Sequence, residues 1–305
     1  MKAMISNIVF TKNRPLQLDG YLRSLYQNLP ADLIDSYVLW KDELFTEQYK
    51  QLFAEFPDLK ITRESSFAGD LLNILSGINT KYILFGIDDV VYFDSVRFDT
   101  IDNTFEKIPD AFGFSLRLSK QNTLQETSEE NFIRDDRVYS IDWTKAKTDP
   151  AKYPFELCAT IYRTELVKKI IKSSRNKNHL ISSVFSPETV LIKLLKPAGL
   201  SRKVLKSFGY FYSPNTLESW NCRWCQQNPE KLPALLYFQK QCACAVQVNL
   251  VNTTTRSDDK AISANTVEAL NEKYKNGFRL DTDYMRQHKP DRTHCGYEYF
   301  KLVKK

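Results

Sequence analysis

Short strand-like runs and amphipathic segments alternate along residues 1–93. Runs of four to eight residues predict strands at Ile5–Phe10, Ser36–Lys41, Lys60–Arg63 and Tyr82–Ile87. Apolar residues at helical spacing predict helices between them, at Leu16–Asn28, Thr46–Phe56 and Phe67–Ile78, with Pro15 at the first helical position and Thr46 as an N-cap. Because the connections are short, this alternation predicts a parallel, right-handed α/β sheet.

Beyond Phe93 the pattern is less regular. Further strands are predicted at Ala111–Leu118, Val138–Trp143 and Val246–Val251, and a buried run at Ala151–Ile161. Helices are predicted at Arg163–Ser173, Thr189–Leu195 and Ser263–Asn276, the last with Gly277 at its C′ position. Residues Gln121–Asp135 are polar and predict an exposed loop or short helix.

Composition limits the class of protein. The chain has 305 residues, of which 42% are hydrophobic and 26% charged, so it can fold around a sizeable core. It has no apolar stretch of 18 residues, and Lys12 and Arg14 interrupt the first apolar run, which predicts a cytosolic protein without a signal peptide or membrane span. A net charge of +6 fits a phosphate-bearing ligand or an anionic membrane better than nucleic acid.

An acid pair, Asp88 and Asp89, directly follows the most apolar predicted strand. Adjacent carboxylates repel each other and are costly to bury, so they persist mainly where a cation or polar ligand lies between them. Ligands of open α/β sheets bind at the carboxyl ends of the strands. The pair therefore predicts a ligand site there, and a solvated turn is the alternative.

The loop after the first predicted strand, Thr11 to Pro15, places two basic residues at the same edge of the sheet. It contains no glycine. Dinucleotide-binding and P-loop motifs need glycines for close approach of the backbone to phosphate, so this loop belongs to neither class.

Two stretches resemble the nucleotide-binding half of glycosyltransferases of the GT-A fold, most nearly the family 2-like bacterial enzymes. They are NIVFTKNRPLQLDGYLRSL and FAGDLLNILSGINTKYILFGIDDVVYF, within an overall match of residues 5–195. The resemblance implies a Rossmann-like α/β fold with a mixed, mostly parallel sheet flanked by helices. It implies one domain, 1–250, with a nucleotide-sugar-binding half (1–95) and an acceptor half (96–250), and an irregular C-terminal extension, 251–305, packed on it.

The same resemblance implies roles for residues around the acid pair. Asp89 would bind Mn²⁺ or Mg²⁺, and Asp88 would bind the ribose or sugar of the donor. Thr11 and Arg14 would lie beside the nucleotide, and Asp42 near its base. Many relatives carry a basic residue where this chain has Ser66, so contacts to the pyrophosphate would fall to Lys12 and Arg14.

Two further residues are candidates for the chemistry. Glu188 opens a predicted helix 99 positions after Asp89, where the family carries its catalytic base. An acid in the first turn of a helix is also favoured by the helix dipole alone. His294 would be a third metal ligand if the enzyme retains configuration, and otherwise an ordinary surface histidine.

The implied activity is metal-dependent transfer of a sugar from a nucleotide-diphosphate sugar to a hydroxyl of a glycan or lipid-linked saccharide, in cell-surface polysaccharide synthesis. No nucleic-acid partner is expected, and the implied location is the cytoplasm, with peripheral contact to the inner face of the membrane as a variant. Two alternatives stay open: a sugar-nucleotide nucleotidyltransferase, and a non-catalytic carbohydrate-binding protein on a degenerate transferase fold.

Three side-chain groups carry weaker signals. Four cysteines could bind zinc or be buried free thiols: Cys222, Cys225, Cys242 and Cys244. Basic residues crowd two predicted helix ends and could meet an anionic membrane or water: Lys168, Lys169, Lys172, Arg175, Lys177, Lys193, Lys196, Arg202, Lys203 and Lys206. Aromatic residues could stack on an acceptor sugar or fill a core: Tyr210, Phe211, Tyr212, Trp220 and Trp224.

Overall fold

The strands and helices predicted in the first 93 residues are present in the structure, a computed structural model that describes residues 3–41, 43–133, 135–176, 211–228, 232–249 and 265–305. The strands are Ile5–Lys12 (β1), Ile34–Lys41 (β2), Lys60–Arg63 (β3), Tyr82–Ile87 (β4) and Val90–Tyr92 (β5). The helices are Pro15–Asn28 (α1), Thr46–Glu55 (α2) and Phe67–Gly77 (α3), with a 3₁₀ turn at Ala31–Leu33. The predicted N-cap is wrong: Phe45 holds that position, and Thr46 is the first helical residue.

The rest of the described chain adds shorter elements. Its helices are Phe98–Lys107 (α4), Asp149–Lys152 (α5), Thr164–Asn176 (α6), Pro214–Gln227 (α7), Val267–Lys275 (α8) and Thr282–Gln287 (α9), with a 3₁₀ turn at Tyr297–Tyr299. Its strands are Ala111–Ser115 (β6), Ser128–Ile133 (β7), Asp136–Asp142 (β8), Thr160–Arg163 (β9), Ala234–Phe238 (β10), Ala243–Val246 (β11), Phe278–Leu280 (β12), His294–Cys295 (β13) and Leu302–Lys304 (β14).

The central sheet has nine strands in the order β3-β2-β1-β4-β9-β6-β10-β8-β7. Strands β1 to β4 are parallel, and β9 and β8 run against their neighbours. The α/β class with a mixed, mostly parallel sheet is therefore confirmed. Strand β4 lies inside the sheet, and its side chains enter two clusters. Leu84 belongs to the cluster that includes Leu22 of α1, and Phe85 to the cluster that includes Leu71 of α3. Its continuous apolar run reflects burial on both faces.

A close approach between α1 and β4 fixes Gly86. A Cβ atom at this position would lie 2.1 Å from the Tyr21 hydroxyl oxygen, which donates a hydrogen bond of 2.6 Å to Asn7. Any larger residue would displace Tyr21, so the glycine lets α1 pack directly over the strand that carries the acid pair.

Some elements of the second half differ from the prediction. Strand β7 lies inside the segment predicted to be a loop or helix, because it is an edge strand with a mostly exposed, polar sequence and pairs with β8 through its backbone. The strand predicted from Val246 is wrong, since β11 ends there and no strand covers residues 247–249. Helix α7 and strand β10 were not predicted. Gly277 has φ 83° after α8, which confirms its C′ assignment.

The described C-terminal residues pack on the first half. Leu280 of β12 contacts Gly20 of α1, and Arg279 pairs with the buried carboxylate of Asp19 at 3.5 Å. Strand β13 pairs with β11, and β11 pairs with β5, the strand that follows the acid pair. The end of the chain therefore borders the predicted site, while the predicted boundary at residue 250 stays a prediction.

Candidate functional site

The acid pair lies at the carboxyl edge of the sheet, where β4 ends. Asp88 is buried, with 3% of its surface exposed, and its backbone N–H donates to the carbonyl of Phe10 in β1 at 3.2 Å. The carbonyl of Asp89 accepts a 2.8 Å hydrogen bond from the Val246 N–H of β11. Backbone contacts on both sides therefore fix the pair next to the β1–α1 loop.

Arg14 bridges the two carboxylates from that loop. Its Nη1 lies 2.8 Å from Oδ1 of Asp88 and 3.5 Å from Oδ2 of Asp89. Its Nη2 donates to the backbone carbonyl of Asn249. Only 6% of Arg14 is exposed. The guanidinium therefore balances part of the negative charge that would otherwise be uncompensated between the carboxylates.

A chain of hydroxyl groups orders the start of α1. The Thr11 hydroxyl donates to Oδ2 of Asp88 at 2.8 Å, so the Tyr49 hydroxyl, 2.8 Å from it, donates to Thr11. The Tyr49 oxygen then accepts the Arg14 N–H at 2.9 Å. Asn13 has φ 54°, a conformation that Asn tolerates, and its side chain accepts from the Glu43 N–H. These contacts hold the loop without glycine.

Asp89 is less well satisfied than Asp88. Both Asp88 oxygens accept hydrogen bonds, from Arg14, Thr11 and the Lys12 N–H. Oδ1 of Asp89 is buried and has no hydrogen-bond partner among the described residues. Burial raises the pKa of Asp89 to about 6, against the opposing charge of Arg14. Such an unpaired oxygen can bind a cation or accept a hydrogen bond from a ligand.

A second buried arginine, Arg117, follows β6 at the same edge of the sheet. It forms an ion pair with Glu156, and its Nη1 lies 3.3 Å from the Thr293 carbonyl and 3.2 Å from Nε2 of His294. Although His294 as a residue is exposed, partial burial of the ring and the charge of Arg117 lower the pKa of His294 to about 4. The histidine is therefore neutral at pH 7.

Glu218 of α7 reaches the same region. Its carboxylate accepts the Leu157 N–H at 3.0 Å, and burial raises its pKa. Between Leu157 and β9, Ala159 has φ 63°, a strained conformation for alanine, and is tied to the Phe85 carbonyl by its N–H. The charge of Asp89 adds to the rise in the pKa of Glu218, so Glu218 is a further carboxylate near the acid pair.

The structure brings together most of the predicted site residues but not all of them. Thr11, Lys12, Arg14, Asp88 and Asp89 meet at one edge of the sheet. Asp42 and Glu188 lie outside the described residues, so their roles stay predictions. His294 contacts Arg117, and the described ranges contain no group of three or more His, Cys, Asp or Glu side chains arranged around a metal position.

Several residues that contribute to this edge were not predicted, namely Tyr49, Arg117, Glu156, Glu218 and Asn249. Tyr49 could have been identified from the sequence, because a tyrosine on the apolar face of a helix needs a hydrogen-bond partner for its hydroxyl. The others depend on contacts between distant segments, which no local pattern reveals.

The weaker candidates are partly resolved. Cys222 and Cys225 lie in one apolar cluster, and Cys242 and Cys244 in the other, so these four do not form a joint zinc site.

Phe211 is buried and packs against Phe67, as a core residue does. Lys168 donates to the Ile78 carbonyl at 2.8 Å, Lys169 and Lys172 are exposed, and the side chains of the other basic residues of both groups lie outside the described part.

Comparison with known proteins supports a family resemblance. No protein-family model matches the chain. Over 187 residues it is 26% identical to the bifunctional glycosyltransferase pgtA of Dictyostelium discoideum. The chain resembles a glycosyltransferase. The alignment covers 54% of this chain and 24% of the relative, so the chain spans about a quarter of the length of that protein.

Solved structures of glycosyltransferases are similar to this chain at lower sequence identity. Residues 1–349 of S. aureus TarS with UDP match 78% of this chain and 59% of that one, at 15% identity and a TM-score of 0.43. Mannosyltransferase PcManGT of Pyrobaculum calidifontis, with GDP-Man and Mn²⁺, matches 40% and 37%, at 18% identity and a TM-score of 0.29. At these TM-scores the similarity does not show what this chain binds.

Among the described helices, none combines the length and the apolar character that a membrane span requires.

Proposed function

We propose that this protein is a glycosyltransferase that moves a sugar from a nucleotide-diphosphate sugar to an acceptor hydroxyl. The observation that carries the proposal is the buried pair Asp88 and Asp89 at the carboxyl edge of the sheet, bridged by Arg14. Carboxylates and a guanidinium at one point can bind hydroxyl groups and phosphate together. The resemblance to a glycosyltransferase, established independently, supports the same reading.

The residues of the β1–α1 loop suit the leaving group of this reaction. When the glycosidic bond of the donor breaks, negative charge develops on the diphosphate. Arg14 is held in place by Tyr49 and Asn249, and Lys12 is only partly buried beside it. We propose that these two basic side chains bind the diphosphate, that Thr11 orients the nucleotide, and that Asp42 lies near its base.

A divalent cation fits the acid pair at Asp89. The unpaired Oδ1 of Asp89 offers a hard oxygen ligand, whereas both oxygens of Asp88 already accept hydrogen bonds. We therefore propose Asp89 as the protein ligand of Mn²⁺ or Mg²⁺, which when bound would neutralise charge on the donor diphosphate. Asp88 holds Thr11 and Arg14 and, as predicted, would contact the ribose or sugar through its remaining lone pairs.

The proposals for the acceptor rest on the amino-acid sequence, because Glu188 lies outside the described residues. We propose that Glu188 deprotonates the acceptor hydroxyl in an inverting transfer, and that the acceptor is a glycan or lipid-linked saccharide used for a surface polysaccharide. The exposed Lys169 and Lys172 of α6 support peripheral contact with an anionic membrane surface on the cytoplasmic side.

The test is a screen of ligand binding followed by turnover. UDP, GDP and their sugar conjugates, each with and without Mn²⁺, should raise the melting temperature of the protein. A ligand at 100 times its dissociation constant stabilises the fold by about 2.7 kcal/mol. Release of nucleoside diphosphate from the stabilising nucleotide sugar would support transfer. Formation of nucleotide sugar from nucleoside triphosphate and sugar phosphate would show a nucleotidyltransferase instead, and binding without turnover a carbohydrate-binding protein.

A further inference from the structure

Arg14 is a positively charged residue that directly contacts the proposed cation site. Its Nη1 is 2.8 Å from Asp88 and 3.5 Å from Asp89, so one guanidinium serves both carboxylates. A divalent cation bound to Oδ1 of Asp89 would share this carboxylate with the guanidinium, which contacts Oδ2. In a largely buried site, two positive charges this close repel each other strongly.

The backbone of Arg14 cannot move aside to relieve that repulsion. It stands at the N-cap position of α1, its N–H donates to Tyr49, and its carbonyl accepts the Leu18 N–H at 3.0 Å. Among the described residues the side chain is held at its tip, by hydrogen bonds from Nη1 to Asp88 and from Nη2 to the Asn249 carbonyl, and a stronger acceptor could replace the carboxylate as a partner. Rotation of the guanidinium away from the carboxylates is the available movement.

A diphosphate changes this balance. Phosphate oxygens are strong acceptors that match the fork of a guanidinium, so a donor diphosphate beside the loop gives Arg14 a new partner. If the guanidinium turns toward phosphate, Oδ2 of Asp89 is released from its 3.5 Å contact with Nη1, and the phosphate charge also attracts the metal. Asp88 keeps the Thr11 hydroxyl and the Lys12 N–H as donors.

We propose that Arg14 is an internal counter-cation of the acid pair, which makes binding of a divalent cation conditional on the diphosphate of the donor. The inference rests on the proposed function, because it takes a nucleoside diphosphate as the ligand. It adds an order of binding, in which the metal enters with or after the diphosphate. Because coupling between two ligands is reciprocal, Mn²⁺ must strengthen diphosphate binding by the same factor.

The wild-type protein gives a first test that needs no substitution. The free Mn²⁺ signal in electron paramagnetic resonance measures Mn²⁺ binding directly, with UDP or GDP as probe, after subtraction of the Mn²⁺–nucleotide complex formed without protein. We expect the dissociation constant for Mn²⁺ to fall by at least about tenfold when the nucleotide saturates the protein. Equal Mn²⁺ affinity with and without a nucleotide that binds would overturn the inference.

Substitution of Arg14 gives the second test. In Arg14→Met, the nucleotide-free protein should bind Mn²⁺ at least about tenfold more tightly than wild type, and the coupling factor should shrink. Arg14→Lys keeps the charge and should keep most of the coupling. Lys81→Met is the matched control, because Lys81 also bridges two carboxylates, Asp102 and Glu106, at a distant surface, and it should leave both quantities unchanged.

Folding of each variant is checked by circular dichroism and thermal melting. If Arg14→Met does not fold, Arg14→Gln removes the charge and keeps a hydrogen-bond donor for Asp88. Coupling that is unchanged in a folded neutral variant would overturn the inference while nucleotide binding still supports a transferase. A wild-type protein that binds neither nucleotide in the presence of Mn²⁺ would overturn the proposed function and, with it, this inference.

Discussion

Two buried arginines lie at the same edge of the sheet, and their surroundings differ. Arg14 and Arg117 are each 6% exposed. Arg14 serves two carboxylates, and one oxygen of Asp89 is left without a partner in the described chain. Arg117 is matched to one carboxylate, Glu156, and its remaining contacts, Thr293 among them, come from the C-terminal segment. The Arg14 cluster, formed with Asp88 and Asp89, can exchange partners with a ligand. The Arg117 cluster, formed with Glu156, Thr293 and His294, ties distant segments together.

Asp89 provides the largest expected effect, because the Arg14 cluster should hold the metal and the donor diphosphate. Asp89→Asn should lower donor turnover by about 10³-fold, since the Lewis-acid effect of a bound metal is worth several kcal/mol. Its melting temperature should not fall, because burial raises the pKa of Asp89, so that the ionised carboxylate costs stability in the folded protein despite its 3.5 Å contact with Arg14. Asp102→Asn, at the surface, is the control. Undiminished metal-dependent turnover in Asp89→Asn would remove the central assignment.

Glu188 and His294 test whether the transfer inverts or retains configuration, and His294 also tests whether the Arg117 cluster takes part in the chemistry. If the transfer is inverting, Glu188→Gln should slow it by at least about 10²-fold at saturating donor, because glutamine cannot accept the acceptor proton. Donor affinity should hold, and stability should change by at most about 1 kcal/mol. If the transfer is retaining, His294→Ala should be the damaging change instead. Product stereochemistry, measured with the true acceptor, decides between the two.

Arg117 should matter more for stability than for donor binding. Arg117→Met leaves the Glu156 carboxylate buried without its partner, so the free energy of unfolding should fall by about 3 kcal/mol in a denaturant titration. The double variant Arg117→Met with Glu156→Gln should recover much of that loss. Nucleoside diphosphate affinity should change less than about threefold. Loss of nucleotide binding without loss of stability would place Arg117 in the donor site and end the contrast with Arg14.

Glu218 gives the smallest expected effect, on the pH dependence of stability. Burial raises its pKa in the folded protein, so the folded state holds this proton more tightly than the unfolded chain does. Its contribution to stability is therefore full below the unfolded pKa and is lost as pH rises through the folded pKa. Glu218→Gln can still accept the Leu157 N–H, and should be about 1 kcal/mol more stable than wild type at pH 7.5. The two proteins should have equal stability at pH 4, and a gain of the same size at both pH values would refute this account.

The sequence predicted the Arg14 cluster because the rule involved is general. Arg14 and Asp88 are far apart in the chain, yet the carboxyl ends of parallel neighbouring strands share one edge of the sheet. Arg117 and Glu156 could not be paired in this way. Their meeting depends on β9, which runs antiparallel between β4 and β6, and on a loop with a positive φ at Ala159. No apolar period encodes either feature.

The same distinction explains the errors in secondary structure. Strands β1, β2 and β4 are largely buried and show it in their composition. Edge strand β7 is mostly exposed and polar, so only its backbone pairing with β8 makes it a strand. Helix α7 is buried along a narrow stripe that includes Leu217 and Cys222, within a segment whose charges and aromatics hide the helical period.

The hydrogen bonds from Val246 to Asp89 and from Arg14 to Asn249 also bear on how the protein is made. A ribosome adds about 5–20 residues per second and releases the N-terminal part first. The first half can therefore form its strands and α1 many seconds before β11 exists. During that interval the acid pair lacks β11 and Asn249, so water takes their place at the Asp89 carbonyl and at Nη2 of Arg14. The donor site is consequently one of the last parts of the molecule to reach its working form during synthesis.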